Sequence, residues 1–356
     1  MSAARAPVIG WLEHPFVKWL LPVPMLAAVM PLAYLFFRGA WRQLEDEALA
    51  LRERLAAEGR MDLRPLVTLT LGVLILAMHE YYGQVSFFSG TLRPWLAGTF
   101  EAAHHPALAE HLDLYAELDR RLWWALTRIG GYLLPFLLWR FLFPRDPVRD
   151  MGLRFAGFRQ HAWLYALFVV VMVPILVIVS RQPDFGAYYP MCATAGRSWL
   201  EFAVWEAAYL MQFVALEMFF RGWWIHTTRI FGTGAIFAMT VPYVMIHFGK
   251  PYLEACSALI AGVALGSLAI RTRSIWAGAS VHGTVAILMD VLSLERKGQL
   301  PSRLTATSNT HLDFAGWRFL IWGAWALALV VLLLRAWGVR AQARAAWHRF
   351  RDHRRA

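Results

Sequence analysis

The stretch AWLYALFVVVMVPILVIVS, residues 162–180, decides the fold, because it runs for 19 residues without a charge. A helix rises 1.5 Å per residue, so about 20 apolar residues cross roughly 30 Å of bilayer hydrocarbon. Working outward, comparable runs lie at 18–37, 66–83, 122–143, 200–230, 233–248, 252–270, 274–294 and 315–338. The expected fold is all-α, a polytopic membrane helix bundle of about nine transmembrane helices. Composition agrees. Only 17% of the 356 residues are charged, against about 25% in ordinary soluble domains, and the charges gather between the apolar runs. The 18 tryptophans suit the bilayer interface.

The net charge of +11 does not mark a nucleic-acid binder. The basic residues are scattered through inter-helix loops and a short tail, where an anionic membrane surface accounts for them. The two cysteines, Cys192 and Cys256, exclude a Cys-rich metal site or a disulfide framework and leave one Cys192–Cys256 bridge open. The first apolar run is long and lacks a small-residue cleavage site after it, so it reads as a retained helix rather than a signal peptide.

The segments between the runs organise the chain. Residues 38–65 mix both signs at helical spacing and read as a surface helix, and 84–121 hold a weakly amphipathic stretch suited to lying on the membrane. PRDPVRDMGLRF (144–155) is a polar connector with turn-forming prolines. The tail after Val339 is Arg-rich. With nine spans and the N-terminus outside, the inner loops carry 19 Lys and Arg against 10 outside, which sets the orientation N-out, C-in. The division that follows is 1–143 for accessory helices and amphipathic segments, 144–295 for a core, and 296–356 for the last span and a basic tail. The localisation expected is a bacterial inner membrane.

Ionisable residues inside spans are costly and mark function. Glu217 and Arg221 in LEMFFRG, His247 in PYVMIHFGKP, His282 in SVHGTVA and Asp290 in ILMD stand out, with Glu254 just inside a helix start. Each has a plainer role open to it. Glu217 and Arg221, four apart on one helix face, suit a neutralising ion pair, and Glu254 suits the first turn of a helix after Pro251. Position strengthens the set. Glu217 lies 15 residues before Gly232 and His247 lies 15 after it, so an antiparallel hairpin puts both about 22 Å from the turn. Glu254 and Asp290 flank Thr272 by 18 residues each. The four are expected in one layer, with His282 about 12 Å deeper than Asp290 along its helix and about 80° around it. A layer of carboxylates and imidazoles inside a bilayer suits a hydrolase: a base activates water and a donor holds the developing oxyanion. The same donors suit zinc as an alternative, although His79-Glu80-Tyr81-Tyr82-Gly83 lacks the second histidine of HExxH. His104, His105 and His111 lie in a polar segment and read as solvated. Gly262 and Gly266 form a GxxxG, and Gly278, Ala279 and Ser280 precede His282, a pattern for close helix approach.

At these residues the sequence resembles the CPBP family of CAAX-prenyl-protease and bacteriocin-processing intramembrane endopeptidases. That family carries EExxxR, FxxxH and then HxxxN or a close variant on successive membrane helices. The matching stretches are Leu216-Glu217-Met218-Phe219-Phe220-Arg221-Gly222, Tyr243 to His247 and His282 to Ala286, and the resemblance covers about residues 145–295. It implies a protease core at 144–295. The implied catalytic set is Glu217, His247, His282 and Arg221, supported or replaced in part by Glu254 and Asp290. The implied substrate is a membrane protein or lipidated peptide in the lipid bilayer, with no cofactor. Three positions depart from the pattern. Leu216 stands where the first glutamate would be, Tyr243 replaces the Phe, and Ala286 replaces the Asn. The departures keep open a second class, a non-catalytic membrane protein on the protease scaffold that binds a peptide or lipid. A proton-coupled transporter is a third class, for which no broken-helix pair or inverted repeat speaks.

Overall fold

The computed structural model describes residues 14–155, 158–311, 316, 320–336 and 338. The basic tail after Val339 and the first turns of the expected span 315–338 lie outside the described residues. Among the described residues the chain is helical, with no strand beyond an isolated bridge between Arg303 and His311. The main helices are α1 (Pro22–Ala57), α2 (Arg64–Tyr81), α3 (Ala116–Leu142), α4 (Phe158–Val179), α5 (Trp199–Glu217), α6 (Gly234–Met245), α7 (Tyr252–Thr272), α8 (Trp276–Lys297) and α9 (Leu320–Ala336).

Each expected span therefore contains a helix, but the count of nine crossings is not reproduced. Among the described residues five helical stretches are long and apolar enough to cross a membrane: Pro15–Ala57, His161–Val179, Trp199–Thr227, Tyr252–Thr272 and Trp276–Lys297. A sixth is made if Arg64–Tyr81 and Val85–Glu101, bent 47° at their junction, form one span. Helix α6 is apolar but short, and α9 is apolar over its described residues, Leu320–Ala336. Helix α3 has the length, at 27 residues, but its apolar run is diluted by Arg128 and three tryptophans.

Residues 38–57 are not a separate surface helix. They continue the first span as one 36-residue helix, about 54 Å long. The reason is a buried stripe, Phe37, Leu44, Ala48 and Leu51, that crosses the expected boundary at helical spacing. The extension reaches the turns on that side of the bundle. Glu45 accepts from the Thr233 backbone N–H at 2.7 Å, at the start of α6, and the Arg52 Nε donates to the Ile230 carbonyl at 2.8 Å. A carboxylate at a helix N-terminus satisfies donors the helix cannot.

Helix α5 is central, packed between α3 and α8; α7 lies between α1 and α6, and α8 rests on α4. Past Glu217, α5 widens into a π-helical turn over Met218–Trp224 before a last α-turn at Ile225–Thr227. The rings of this MFFRGWW segment (Phe219, Phe220, Trp223, Trp224) are buried with Tyr132, Trp139 and Tyr243 and form the main apolar core. Gly262 and Gly266 of the GxxxG face α6: a side chain on either would meet Thr240 or Met239. The outward faces carry Leu66, Val73, Leu74, Leu137, Val171 and Val241, all exposed, as a lipid-facing surface requires. Both cysteines are free thiols, so the Cys192–Cys256 bridge does not form.

The connector 144–155 docks across one end of the bundle. The Ile275 backbone N–H donates to the Gly152 carbonyl at 3.0 Å, and the Trp276 indole donates to the Leu153 carbonyl at 3.1 Å. The connector's Met151 carbonyl lies so close to Gly222 that a Cβ there would overlap it. Asp146 bonds His226 at 2.9 Å and pairs with Arg64 at 3.3 Å. Burial opposes ionisation of Asp146, but the His226 hydrogen bond and the charges of His226, Arg229 and Arg64 outweigh it and hold the carboxyl at about 2. A carboxylate depressed in the folded state stabilises it above the unfolded value near 4 and loses that contribution as pH falls toward 2. Asp146→Asn is therefore expected to remove about 2 kcal/mol at pH 7. Thermal unfolding of the detergent-purified protein should show wild type and variant well separated at neutral pH and converging below pH 4.

Candidate functional site

The site is built where α5, α6 and α8 meet. Glu217 ends the regular part of α5 and Arg221 sits one turn on, inside the π segment. Their side chains are both fully buried, with Arg221 Nη1 3.1 Å from Glu217 Oε1. The same carboxylate oxygen is 3.1 Å from His282 Nδ1, on α8. The ring of His282 packs on Phe213, with centroids 4.4 Å apart. Tyr243 of α6 is the shared wall. The Arg221 guanidinium lies 4.0 Å over its ring, and the rings of His247 and His282 are 4.7 and 6.2 Å from it. His247 follows the end of α6, and its Nδ1 is 2.7 Å from the Tyr243 carbonyl. Glu217, Arg221, His247 and His282 thus gather around one aromatic ring.

The hydrogen bonds fix the histidine tautomers. A carbonyl only accepts, so His247 Nδ1 carries the proton and Nε2 presents its lone pair in the neutral ring. An ionised Glu217 does the same for His282. Glu217 Oε2 has no hydrogen-bond partner among the described residues, and neither do the three Arg221 nitrogens, although one of them is at ion-pair distance. Gly278 makes room for the carboxylate: a Cβ there would overlap Glu217 Oε2.

The expected single layer is two. Asp290, fully buried, accepts from the Trp205 indole at 2.8 Å and from the Met191 backbone N–H at 2.9 Å. Trp205 precedes Glu217 by 12 residues, about 18 Å along α5, so Asp290 belongs to a separate cluster nearer the 180–198 loop. Glu254 also lies apart from Glu217. Both its oxygens are 2.9 Å from the Tyr189 hydroxyl, and Lys250 Nζ is 2.8 Å from Oε1. Residue counts from the two turns therefore do not place Glu254 and Asp290 beside Glu217. The carboxylate of Glu217 reaches His282 directly, and the remaining eight residues of α8 carry Asp290 away.

Several functional groups escaped the sequence reading. Lys250 links the clusters, since it pairs with Glu254 and acts electrostatically on both His247 and His282. Glu206 is buried on α5 with neither oxygen hydrogen-bonded among the described residues, in electrostatic contact with Asp290. The signal for Glu206 was present: WEAAYL places a carboxylate inside an apolar run. Nothing in the sequence ties Tyr189 or Trp205 to the carboxylates. His79 packs against Tyr132 and bonds the Thr127 carbonyl, away from the site. Among the described residues no group of three or more His, Cys, Asp or Glu side chains is arranged to hold a metal ion.

Chemically the arrangement is a carboxylate orienting an imidazole, a second imidazole beside it, and two cations, all inside a membrane bundle. Residues 198–288 match the model of a family described as Rce1-like, type II CAAX prenyl endopeptidase Rce1-like. The matched segment contains Glu217, Arg221, His247, Glu254 and His282 and stops short of Asp290. No curated protein and no solved structure matches the chain. Gly278→Ala is expected to destabilise the protein by about 1–3 kcal/mol through overpacking on Glu217. Glu217→Asp, one methylene shorter, should recover part of that loss when added to Gly278→Ala, a non-additivity read by thermal unfolding.

Proposed function

We propose that this membrane protein, whose central segment falls in the CAAX-protease family, is an intramembrane endopeptidase that cleaves a peptide bond of a membrane-associated protein. The observation that carries the reading is the buried Glu217–His282 pair, neutralised by Arg221 and set beside His247. In this reading Glu217 holds His282 with Nε2 free. His282 Nε2 takes a proton from water as the water oxygen attacks the scissile carbonyl, and the imidazolium later returns the proton to the leaving amine. His247 Nε2 accepts the other water hydrogen and orients the nucleophile. Lys250, within electrostatic range of both rings, stabilises the oxyanion, and Glu254 with Tyr189 positions Lys250. Asp290 supports the site from a distance by fixing the 189–191 segment through Met191.

The basic connector and turns suit the inner face of a bacterial inner membrane, with the N-terminus outside. The 180–198 loop and Lys250 then lie toward the outer face, and removal of a C-terminal membrane anchor is the matching substrate chemistry. A second reading, a peptide- or lipid-binding protein on the same scaffold, is favoured by Leu216, a buried core residue where the family carries its first glutamate.

Neo-terminus proteomics on membranes from the producing cell, at matched expression, separates the two. Wild type should generate new protein termini. Glu217→Gln and His282→Ala should lower them by about 10²-fold or more, and Glu254→Gln by roughly 10-fold. Termini unchanged in Glu217→Gln and His282→Ala would rule out the endopeptidase and leave the binding protein.

A further inference from the structure

A cavity of about 440 Å³ opens at the connector end of the bundle, away from the 180–198 loop. Arg149 and Arg154 of the connector, Arg229 and Arg273 of the two turns, and the buried Arg221 all line it. Two carboxylates, Glu47 and Asp150, also line it, and each is already bonded, to Arg273 at 2.8 Å and to Arg154 at 2.6 Å. Glu217 neutralises Arg221, so the other four guanidinium groups against two carboxylates leave two positive charges on the lining.

Arg221 is the deepest of the five. It is 4% exposed, and its Nε, Nη1 and Nη2 have no hydrogen-bond partner among the described residues. Its side chain is wholly enclosed, 3.1 Å from Glu217 and over the Tyr243 ring, so it backs the cavity without reaching into it. The guanidinium groups open to an occupant are those of Arg149, Arg154, Arg229 and Arg273. The planar fork of a guanidinium matches the oxygens of phosphate, and arginines from the connector and both turns converge on the same space. Basic pockets of this kind at a membrane surface suit anionic headgroups.

We propose that this cavity is a binding site for a phosphate group, whether free or carried on the headgroup of an anionic lipid, held by Arg149, Arg154, Arg229 and Arg273. Such an occupant stays on the connector side of the enclosed Glu217–Arg221 pair, so the site adjoins the candidate catalytic residues without belonging to them. Binding here stands independently of whether the chain cleaves peptides.

The test is thermal unfolding of the full-length protein in detergent, titrated separately with inorganic phosphate, phosphatidylglycerol and phosphatidylcholine. A ligand that binds the folded state raises the midpoint saturably with concentration. Phosphatidylglycerol, inorganic phosphate or both should do so, and phosphatidylcholine should not. A response to phosphatidylglycerol alone assigns the site to a lipid headgroup, and an equal response to inorganic phosphate assigns it to the free ion. Arg149→Gln/Arg273→Gln, at two exposed positions, should raise the half-saturating concentration at least tenfold, while Arg149→Lys/Arg273→Lys should keep it within a few-fold of wild type. The proposal is overturned if neither phosphate compound shifts the midpoint, if phosphatidylcholine matches phosphatidylglycerol, or if the glutamine variant saturates where wild type does.

Discussion

The buried contact between Glu217 and Arg221 is the constraint around which the bundle is arranged. Two full charges removed from water cost more than their mutual attraction returns unless further groups engage them. Here His282 donates to the carboxylate, Tyr243 offers its ring face to the guanidinium, and Gly278 yields the space the carboxylate occupies. Those three partners come from α6 and α8. The ion pair therefore dictates that α5, α6 and α8 converge, and the aromatic segment that follows Glu217 seals the convergence from below.

The second cluster has a different logic. Asp290 is satisfied by an indole and a backbone N–H, and Glu254 by a phenol and an ammonium. These contacts tie the 180–198 loop to α5, α7 and α8. Because Lys250 belongs to that cluster and acts on both imidazoles, the loop and the candidate catalytic pair are joined electrostatically through one side chain. Glu206, buried without a hydrogen-bond partner among the described residues, places a further carboxylate against Asp290 in the same region.

Much of this was legible in the chain. Apolar runs near 20 residues located every main helix, since no soluble fold tolerates so many of them. The costly placement of Glu217, Arg221, His247 and His282 in those runs marked the side chains that surround Tyr243. Depth was not legible. Counting residues from a turn assumes straight helices that start from a common plane, and the π segment and the separate hairpins violate that. Nor could the sequence show that the first span keeps going: the mixed charges of 38–57 looked like a new element, while the stripe from Phe37 to Leu51 made it one rod. Nor is the crossing number settled by composition: among the described residues five stretches, or six with the bent pair, are long and apolar enough to cross.

The π turn at Met218–Trp224 has one more implication. It holds an extra residue within the helical ladder, so the chain carries a local surplus that an ordinary α-turn would reject. Loss of a single residue between Glu217 and Arg221 would let the ladder close to regular α geometry and change their spacing from four to three, which alters how guanidinium and carboxylate meet. The surplus residue sits in the segment that links the two members of the ion pair, which makes the length of this stretch as much a part of the site as its side chains.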